Sequence, residues 1–422
     1  MTDIYCGIDI GTTNLKVLLL DETAKPLWVK SVPAPHLSDG LGVVTDARAL
    51  LRFIEDLVIE GWRQVGKGRK IAAIASGGIG EDGVGTDQNL QPLGHAIQWN
   101  DRRGERYAQA LARSNHGRRY PAILLDFSST AGKWEWLRKH RPEELAGAQH
   151  WITMTDYPAA AWSGVPFMSA TLAPRTGCYD VFTRSWIDSH LQHSGAPPVP
   201  KLLEAGDIVG TLRHGRLLEA GAATANTLVV AGGHDHPVAA SAIRRIDKNA
   251  RIDSMGTADA TYGETTALAA DHNLEGLYVT LPISGAKGAA VIGMTEFSVT
   301  LAEAFGDAGT IHKRLLDTRL LSDIDAGLRA VLETMALQTR HYFAAMTRAG
   351  VPAAPVYATG GWARCPALMQ LRANVFGETI TVVDEPELVA LGAALFAAQG
   401  ADKELEFGAT EKCHVVMPST QQ

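Results

Sequence analysis

The two halves of the chain repeat one order of sequence patterns, and this order constrains the fold more than any other feature. In the first half, two short apolar runs flank a turn at residues 11–13, a helical pattern covers residues 47–65, and the run KIAAIASGG ends in glycines. The second half has ARIDSMGTADATYGET, a helical pattern from about residue 325 to 349, and then APVYATGGWA. A strand that ends in Gly-Gly is common in α/β proteins, so the shared order carries the argument. It predicts a duplicated α/β unit.

The length of the chain, 422 residues, exceeds that of one usual domain. We expect two domains, residues 1–237 and 238–422, with the hinge just after Asp235 in GGHDHP. A cleft between two domains is the default place for a ligand. The sequence therefore predicts an active site in an interdomain cleft.

Charge and cysteine usage argue against several classes of function. The formal net charge of -7 disfavours a broad nucleic-acid-binding face. The four cysteines lie far apart without a C-x-x-C pair, so neither a disulfide framework nor a zinc cluster is indicated. No leader pattern and no run of about 18 apolar residues occurs. We expect a soluble, cytoplasmic protein without nucleic-acid or membrane partners that could form a homodimer.

The segment GIDIGTTNLK, residues 7–16, has the residues of an anion-binding turn. Gly11 permits a sharp reversal, and exposed backbone N–H groups in such a turn suit phosphate oxygens. Asp9 could hold the Mg²⁺ that accompanies a nucleotide, usually through water, and Lys16 supplies positive charge. The alternative is a plain hairpin turn capped by Asp9. A second turn of the same kind, at Gly256 and Thr257, could hold the same polyphosphate.

The segment GGHDHP places Asp235 between His234 and His236. Phosphoryl transfer needs alignment, neutralised charge and a carboxylate that accepts the proton of the attacking hydroxyl. An aspartate with an ordinary pKa of about 3.9 is ionised at neutral pH and can take this role. A capped loop and a metal site on the two histidines are the alternatives. The metal site is disfavoured because no third ligand appears at a characteristic spacing.

A third group of polar residues suits a polyol. Carboxylates accept hydrogen bonds from hydroxyls, arginine donates them, and an aromatic face covers C–H groups. The candidates are Glu81, Asp82, Asp101 and Arg102, with Trp99 as the aromatic face. Taken alone, Trp99 is more often a core residue than a sugar platform.

The last motif is TGGWARCP, followed by a helical segment with ALGAA. Gly360 and Gly361 at a strand end would let backbone approach a flat ligand. The small residues of the last helix, 390–394, predict close helix packing.

Together, DIGTTNLK, WNDRR, GGHD, SMGT, TGGWARCP and ALGAA resemble the motifs of the FGGY family of carbohydrate kinases, in the actin, Hsp70 and sugar kinase superfamily. The resemblance covers nearly the whole chain. It implies two ribonuclease-H-like domains that close on ATP and a small sugar, ketose or polyol, with Mg²⁺. The spelling G-x-D-G at residues 80–83, together with His-Asp at 234–235, is similar to the fuculokinase and rhamnulokinase branch.

The resemblance also implies roles for individual residues. By position in the motifs, Asp235 is the catalytic base, and Gly80 and His234 contact the sugar. His236 is included as a sugar contact only because it is adjacent to Asp235. The implied nucleotide contacts are Gly11, Thr12, Thr13, Asn14, Lys16, Gly256, Thr257, Gly293, Gly360, Gly361, Trp362 and Cys365. Gly80-Glu81 stands where glycerol kinases carry Arg-Glu, which disfavours glycerol as the substrate.

Two other classes of protein share these motifs. An actin-like or Hsp70-like ATPase would use the same phosphate turns without a sugar substrate. A catalytically idle sugar-binding homologue is the third reading, and Asp235 with both Gly-Thr turns argues against it. The motifs do not decide which sugar or which hydroxyl is phosphorylated.

Overall fold

The computed structural model describes residues 3–66, 68–268, 274–385, 387–407 and 413–419. In chain order, the strands are β1 (Ile4–Ile10), β2 (Asn14–Leu20), β3 (Pro26–Pro33), β4 (Leu37–Ser38), β5 (Val43–Thr45), β6 (Ile71–Gly78), β7 (Gly83–Thr86), β8 (Ala96–Ile97), β9 (His150–Thr153), β10 (Phe167–Ser169), β11 (Tyr179–Asp180), β12 (Ser185–Trp186), β13 (Lys201–Leu203), β14 (Ile208–Thr211), β15 (Leu228–His234), β16 (Arg251–Met255), β17 (Asp259–Thr265), β18 (Tyr278–Thr280), β19 (Ala289–Thr295), β20 (Val356–Thr359), β21 (Ile380–Val383) and β22 (Cys413–Val416).

The α-helices are α1 (Ala47–Val65), α2 (Glu105–Arg113), α3 (Thr130–His140), α4 (Tyr157–Ser163), α5 (Asp188–Ser194), α6 (Arg216–Glu219), α7 (Asp235–Arg244), α8 (Phe297–Phe305), α9 (Ala308–Asp317), α10 (Ala326–Arg348), α11 (Pro366–Phe376) and α12 (Leu388–Gly400). Short 3₁₀ helices cover Arg102–Gly104, Gly117–Arg119, Pro142–Glu144, Ala170–Thr176, Leu321–Asp323 and Trp362–Arg364. In the described part of the chain, no helix is both long and apolar enough to cross a bilayer.

The chain forms two compact units. Unit 1 contains residues 1–242, 280–286 and 389–406, and unit 2 contains residues 243–279, 287–388 and 407–422. The first crossing therefore lies within α7, after Ala242, whereas the predicted division falls at 237/238. Two later segments return to unit 1, which a division in chain order does not include.

The main sheet of unit 1 has the order β14-β15-β6-β1-β2-β3. Strands β1, β2 and β3 form an antiparallel meander, while β6 and β15 run parallel to β1. Because β1, β6 and β15 are parallel, their carboxyl ends meet at one edge of the sheet. That edge carries Asp9, the loop after Gly78, and Asp235.

The main sheet of unit 2 has the order β18-β19-β17-β16-β20-β21-β22. On one side of its central strand β16, β17 is antiparallel to β16 and β19 is antiparallel to β17; on the other side, β20 and β21 run parallel to β16. This is the arrangement of β3, β2, β1, β6 and β15 in unit 1. The predicted duplication of an α/β unit is confirmed.

The two long helices follow from their apolar periodicity and their caps. The side chain of Asp46 accepts hydrogen bonds from the backbone N–H groups of residues 48 and 49, where α1 begins, and Leu50, Ile54 and Val58 are buried on one face. Asp325 caps α10 in the same way. Both helices lie where the sequence predicts them.

A fully buried ion cluster joins α11 to the first strands of unit 2. Nη1 of Arg372 lies 2.5 Å from Oδ2 of Asp253, and Nη2 binds Asp259, which also accepts from Thr339 at 2.9 Å. Burial raises the pKa of Asp253 well above its ordinary value despite the attraction of Arg372. The cluster ties together β16 and β17, which flank the turn at 256–258.

Candidate active site

The candidate base Asp235 lies at the carboxyl edge of the unit 1 sheet. The strand register aligns Ile10, Gly78 and His234 on β1, β6 and β15. Neighbouring strands are about 4.8 Å apart, so the chain at residues 10 and 234 is separated by roughly 10 Å. Open α/β sheets bind ligands at this kind of edge.

The carboxylate of Asp235 is partly open to solvent and surrounded by donors. Its side chain is 30% exposed, and its Oδ1 accepts from the backbone N–H of His236 at 2.6 Å. The Nε2 atoms of His234 and His236 lie 3.2 and 3.9 Å from the same oxygen. Burial alone would raise the pKa of Asp235, but the interactions with His236 and His234 and the N–H of His236 hold it below its ordinary value. The group is an ionised proton acceptor at neutral pH.

His234 is neutral at neutral pH. Burial outweighs the attraction of Asp235 and lowers the pKa of His234 to about 4. The imidazole of His234, whose Nε2 lies 3.2 Å from Oδ1 of Asp235, is therefore uncharged at pH 7.

The carboxylate of Glu81 is buried and paired with an arginine that the motifs did not indicate. Nε of Arg175 donates to Oε1 of Glu81 at 2.6 Å, and Nη2 of Arg175 binds the same oxygen. Burial raises the pKa of Glu81, but Arg175 and further positive groups lower it below its ordinary value. Glu81 is thus an ionised acceptor that is held in one orientation.

Asp82 is buried beside Lys133 on α3. Their Oδ1 and Nζ atoms lie 3.7 Å apart, and Nζ of Lys133 donates to the carbonyl of Ile97 at 3.2 Å. Burial raises the pKa of Asp82 to about 7 despite the attraction of Lys133. Burial also lowers the pKa of Lys133. Asp82 can consequently exchange a proton near neutral pH.

Thr13, in the turn of residues 11–13 between β1 and β2, and Asn14, the first residue of β2, are exposed. The backbone N–H of Gly11 donates to the carbonyl of Asn14 at 3.1 Å. Nε1 of Trp99 donates to Oγ1 of Thr12 at 2.8 Å, which fixes the indole beside the turn. The structure thus brings the predicted phosphate turn and the predicted aromatic face together.

Asp9 and Lys16 face each other across β1 and β2, with Oδ2 and Nζ 3.3 Å apart. A single carboxylate at a strand end fits Mg²⁺, which keeps most of its ligands as water and phosphate oxygens. Among the described residues, no group of three or more His, Cys, Asp or Glu side chains could form a protein cage for a metal. Asp9 fits a metal held mainly by water and nucleotide.

The structure gives Asp101 and Arg102 partners within the fold. Asp101 accepts from the backbone N–H of Arg103 at 2.9 Å and from its Nη2 at 2.7 Å, and so caps the 3₁₀ helix that follows. Arg102 is exposed, pairs with Glu105 at 3.1 Å and covers the ring of Phe127. These contacts account for both side chains without a sugar.

The second Gly-Thr turn joins β16 to β17 in unit 2. The N–H of Gly256 donates to the carbonyl of Ala258 at 2.8 Å, and Thr257 is exposed. The backbone N–H of Ser298 donates to the carbonyl of Thr257 at 2.9 Å. The exposed turn has the form that the sequence predicts.

The glycine pair after β20 lies beside a buried aromatic cluster. Gly360 has φ +92°, a conformation that favours glycine, and the carbonyl of Gly361 accepts from Nε2 of His312 at 2.9 Å. The ring of Trp362 is buried against His312, with ring centroids 4.7 Å apart. Cys365 is also buried, and burial raises its pKa to about 12. Of these predicted nucleotide contacts, the backbone at 360–361 is the better placed to meet a ligand.

Gly293 lies in the middle of β19. Its N–H donates to Oγ1 of Thr261 at 3.1 Å, and a Cβ at this position would collide with the ring of Tyr342. Packing therefore accounts for this glycine.

Arg175, Lys133 and Thr171 are polar residues of the site region that the motifs did not indicate. Oγ1 of Thr171 accepts from the backbone N–H of His234 at 2.9 Å. The sequence could have indicated Lys133, because this lysine stands among apolar residues in TAGKWEWL. Nothing in the sequence indicates Arg175, since its partner Glu81 is distant in sequence.

Family models match both parts of the chain. The model of the N-terminal domain of the FGGY family of carbohydrate kinases matches residues 4–242, and that of the C-terminal domain matches residues 309–401.

Similar proteins are kinases of sugars. A xylulose kinase of Streptomyces rubiginosus is 26% identical, over 94% of this chain and 87% of that protein. An L-fuculokinase of Escherichia coli strain K12 is 24% identical, over 97% of this chain and 94% of that protein. The crystal structure of a xylulose kinase from Rhodospirillum rubrum matches with a TM-score of 0.83 at 19% identity, over 99% of this chain and 94% of that chain.

Proposed function

This chain belongs to the FGGY family of carbohydrate kinases, and from that premise we propose that it phosphorylates a hydroxyl of a small ketose, with Asp235 as the general base. Membership in the family makes it a kinase that transfers phosphate from ATP to a sugar or polyol. Xylulose kinases and L-fuculokinase, to which the chain is similar, are by name kinases of ketoses. Their names support a ketose over an aldose or glycerol.

The observation that carries the proposal is the setting of Asp235. An ionised carboxylate, 30% exposed, lies at the carboxyl edge of a sheet that also carries the buried acceptor Glu81. In the proposed step, the sugar oxygen bonds to the γ-phosphorus while the bond to the β-bridging oxygen breaks. ADP leaves with that electron pair, and Asp235 accepts the hydroxyl proton.

The other proposed roles are assigned to the two predicted domains. Residues 1–237 would hold the sugar and the first phosphate turn, and residues 238–422 would supply the second turn and the adenosine contact at 360–361. The backbone N–H groups of the turns suit phosphate oxygens. Mg²⁺, held by Asp9 mainly through water, would neutralise charge on the phosphates.

A panel of ketoses, aldoses, polyols and aldonic acids, with ADP release as the readout, tests the proposal. We expect a ketose to give the highest rate and Asp235→Asn to lower kcat by a factor of about 10² to 10⁴, because general-base catalysis contributes that much. Nucleotide affinity should be unchanged in this variant.

Asp46→Asn is the matched control. It makes the same substitution at a helix N-terminus in unit 1, where asparagine also caps. Near-normal turnover by Asp235→Asn would overturn the role of Asp235. ADP release that no sugar stimulates would favour the ATPase alternative.

We also propose a cytoplasmic location. All four cysteines are free thiols, which suits a reducing compartment. A homodimer remains a prediction that size measurement in solution would test.

A further inference from the structure

Arg175 lies in the 3₁₀ helix Ala170–Thr176, away from every motif of the family resemblance. Its side chain is 7% exposed and binds Glu81 through both Nε and Nη2. The neighbouring Thr171 of the same helix accepts from the backbone N–H of His234 at 2.9 Å. One short helix therefore supports both sides of the candidate sugar site.

Gly80 provides the space for this arrangement. A Cβ at residue 80 would lie 2.7 Å from Cγ of Arg175 and 2.9 Å from Cδ2 of His234. Contacts this short do not occur in folded proteins, so any side chain at residue 80 would displace one of these two neighbours. Because Gly80 has no side chain, the aliphatic part of Arg175 and the imidazole of His234 can lie against the loop that carries Glu81.

The charges of the cluster depend on one another. Arg175 is the strongest of the interactions that counter the effect of burial on the pKa of Glu81, and it opposes protonation of His234. With Glu81 matched by Arg175 and His234 neutral, the net charge of these groups together with Asp235 is that of the Asp235 carboxylate. Without Arg175, the buried carboxylate of Glu81 would lose its strongest partner.

From this geometry we infer that Arg175 is a positioning residue of the sugar site: it orients Glu81 as an acceptor for sugar hydroxyls and cancels its charge, so the site takes a neutral sugar and rejects an acidic one. The inference rests on the proposed function and deepens it by naming the substrate class. An aldonate would bring a second negative charge next to Asp235. A neutral sugar would only exchange hydrogen bonds with water for bonds to Glu81.

The test uses the full chain with Arg175→Lys, Arg175→Gln, Glu81→Gln and the double variant Glu81→Gln with Arg175→Gln. The substrates are the best neutral sugar of the panel and the aldonic acid with the same number of carbons. For Arg175→Gln we expect KM for the sugar to rise about 100-fold and KM for ATP to change less than about threefold, because only sugar contacts are disturbed. Arg175→Lys should fall between this variant and the wild type, because it keeps the charge but loses the two-donor geometry.

The aldonate tests the charge argument. It should not inhibit the wild type at concentrations near KM for the sugar, whereas Glu81→Gln leaves Arg175 unmatched and should be inhibited competitively. Equal inhibition of both proteins would overturn the assigned selectivity.

A second readout does not depend on turnover. We expect NMR titration of the histidine rings to show a higher pKa for His234 in Arg175→Gln than in the wild type, by about one unit. Unchanged titration together with unchanged KM for the sugar would overturn the role of Arg175. If the wild type phosphorylates no sugar, the proposed function fails, while the titration still tests the effect of Arg175 on His234.

Two controls separate positioning from folding. Arg216→Gln removes an arginine that pairs with the exposed Asp56 in the same unit, and it should leave all these values unchanged. The double variant replaces the buried ion pair by two amides, so it should fold even if Arg175→Gln does not. Wild-type KM for the sugar in the double variant would contradict the inference.

Discussion

Buried carboxyl groups of unit 1 differ in pKa because their partners differ. Two nitrogens of Arg175 bind one carboxylate oxygen of Glu81 and the pKa of Glu81 is lowered, whereas Asp82 has a lysine at 3.7 Å and its pKa rises to about 7. Asp156 accepts from Ser169 and Thr153 without a cation among its partners, and burial raises its pKa to about 6. Burial disfavours the charged form in each case, and among these three groups only Glu81, with its close and well-directed arginine, has the shift reversed.

The raised pKa of Asp82 makes stability depend on pH. The pKa in the folded protein exceeds that of the unfolded chain, so this contribution to stability is complete below about pH 4 and is lost as the pH rises through about 7. Asp82→Asn removes the titration. From pH 5.5 to 8, we expect the free energy of unfolding of the wild type to fall relative to Asp82→Asn by on the order of 2 kcal/mol.

Urea unfolding of both proteins at several pH values measures this difference. Asp56→Asn, at an exposed position, should show the pH dependence of the wild type. Parallel curves for the wild type and Asp82→Asn would show that Asp82 has an ordinary pKa.

At the scale of elements, the size of the residues on α12 determines how closely this helix can pack against the sheet of unit 1. The chain of α12 runs so close to β1 that a Cβ at Gly7 would collide with the carbonyl of Ala390 and lie 2.9 Å from Cβ of Ala394. Gly392 of the same helix faces the carbonyl of Val238 on α7 in the same way. The small residues of ALGAA therefore serve close packing, as the sequence predicts.

Gly7→Ala tests this packing. The new methyl group meets backbone atoms that cannot rotate away, so we expect a loss of about 3 kcal/mol in the free energy of unfolding. Gly309→Ala is the control, because its nearest neighbour would be an ordinary 3.4 Å away on a side chain. Equal stability of the two variants in urea unfolding would show that β1 and α12 can separate without cost.

At the scale of the molecule, unit 1 is assembled from segments that are distant in sequence. It needs residues 389–406, whose Leu391, Leu395 and Phe396 are buried, in addition to residues 1–242. Burying one such side chain contributes about 1.5–3 kcal/mol, so losing the helix removes a large part of the stability of the unit.

A fragment of residues 1–242 should therefore aggregate or unfold without cooperativity. The same fragment joined by flexible linkers to residues 280–286 and 387–406 should recover a cooperative thermal transition. Both can be followed by circular dichroism and size-exclusion chromatography. A well-folded, monodisperse fragment of residues 1–242 alone would contradict this assembly.

Features that depend on residues close together in the chain can be predicted from the sequence. Periodicity and caps located α1 and α10, the alternation of short apolar runs and glycines located the strands around both Gly-Thr turns, and the repeated order predicted the duplicated unit. The segment GGHDHP also stands out in the sequence, because a carboxylate follows an apolar run and two glycines, and the role of Asp235 as the base stays a prediction. These features follow from local backbone preferences.

The tertiary structure alone decided the partners of the charged groups and the burial of several predicted contacts. Arg175 and Glu81 are 94 positions apart in the chain, and Lys133 contacts Asp82 from helix α3. Trp362, Cys365 and Gly293 have motif positions that suggest a ligand, yet they lie in packed surroundings. The energy of a buried charge depends on which groups surround it in space, and no local pattern encodes that arrangement.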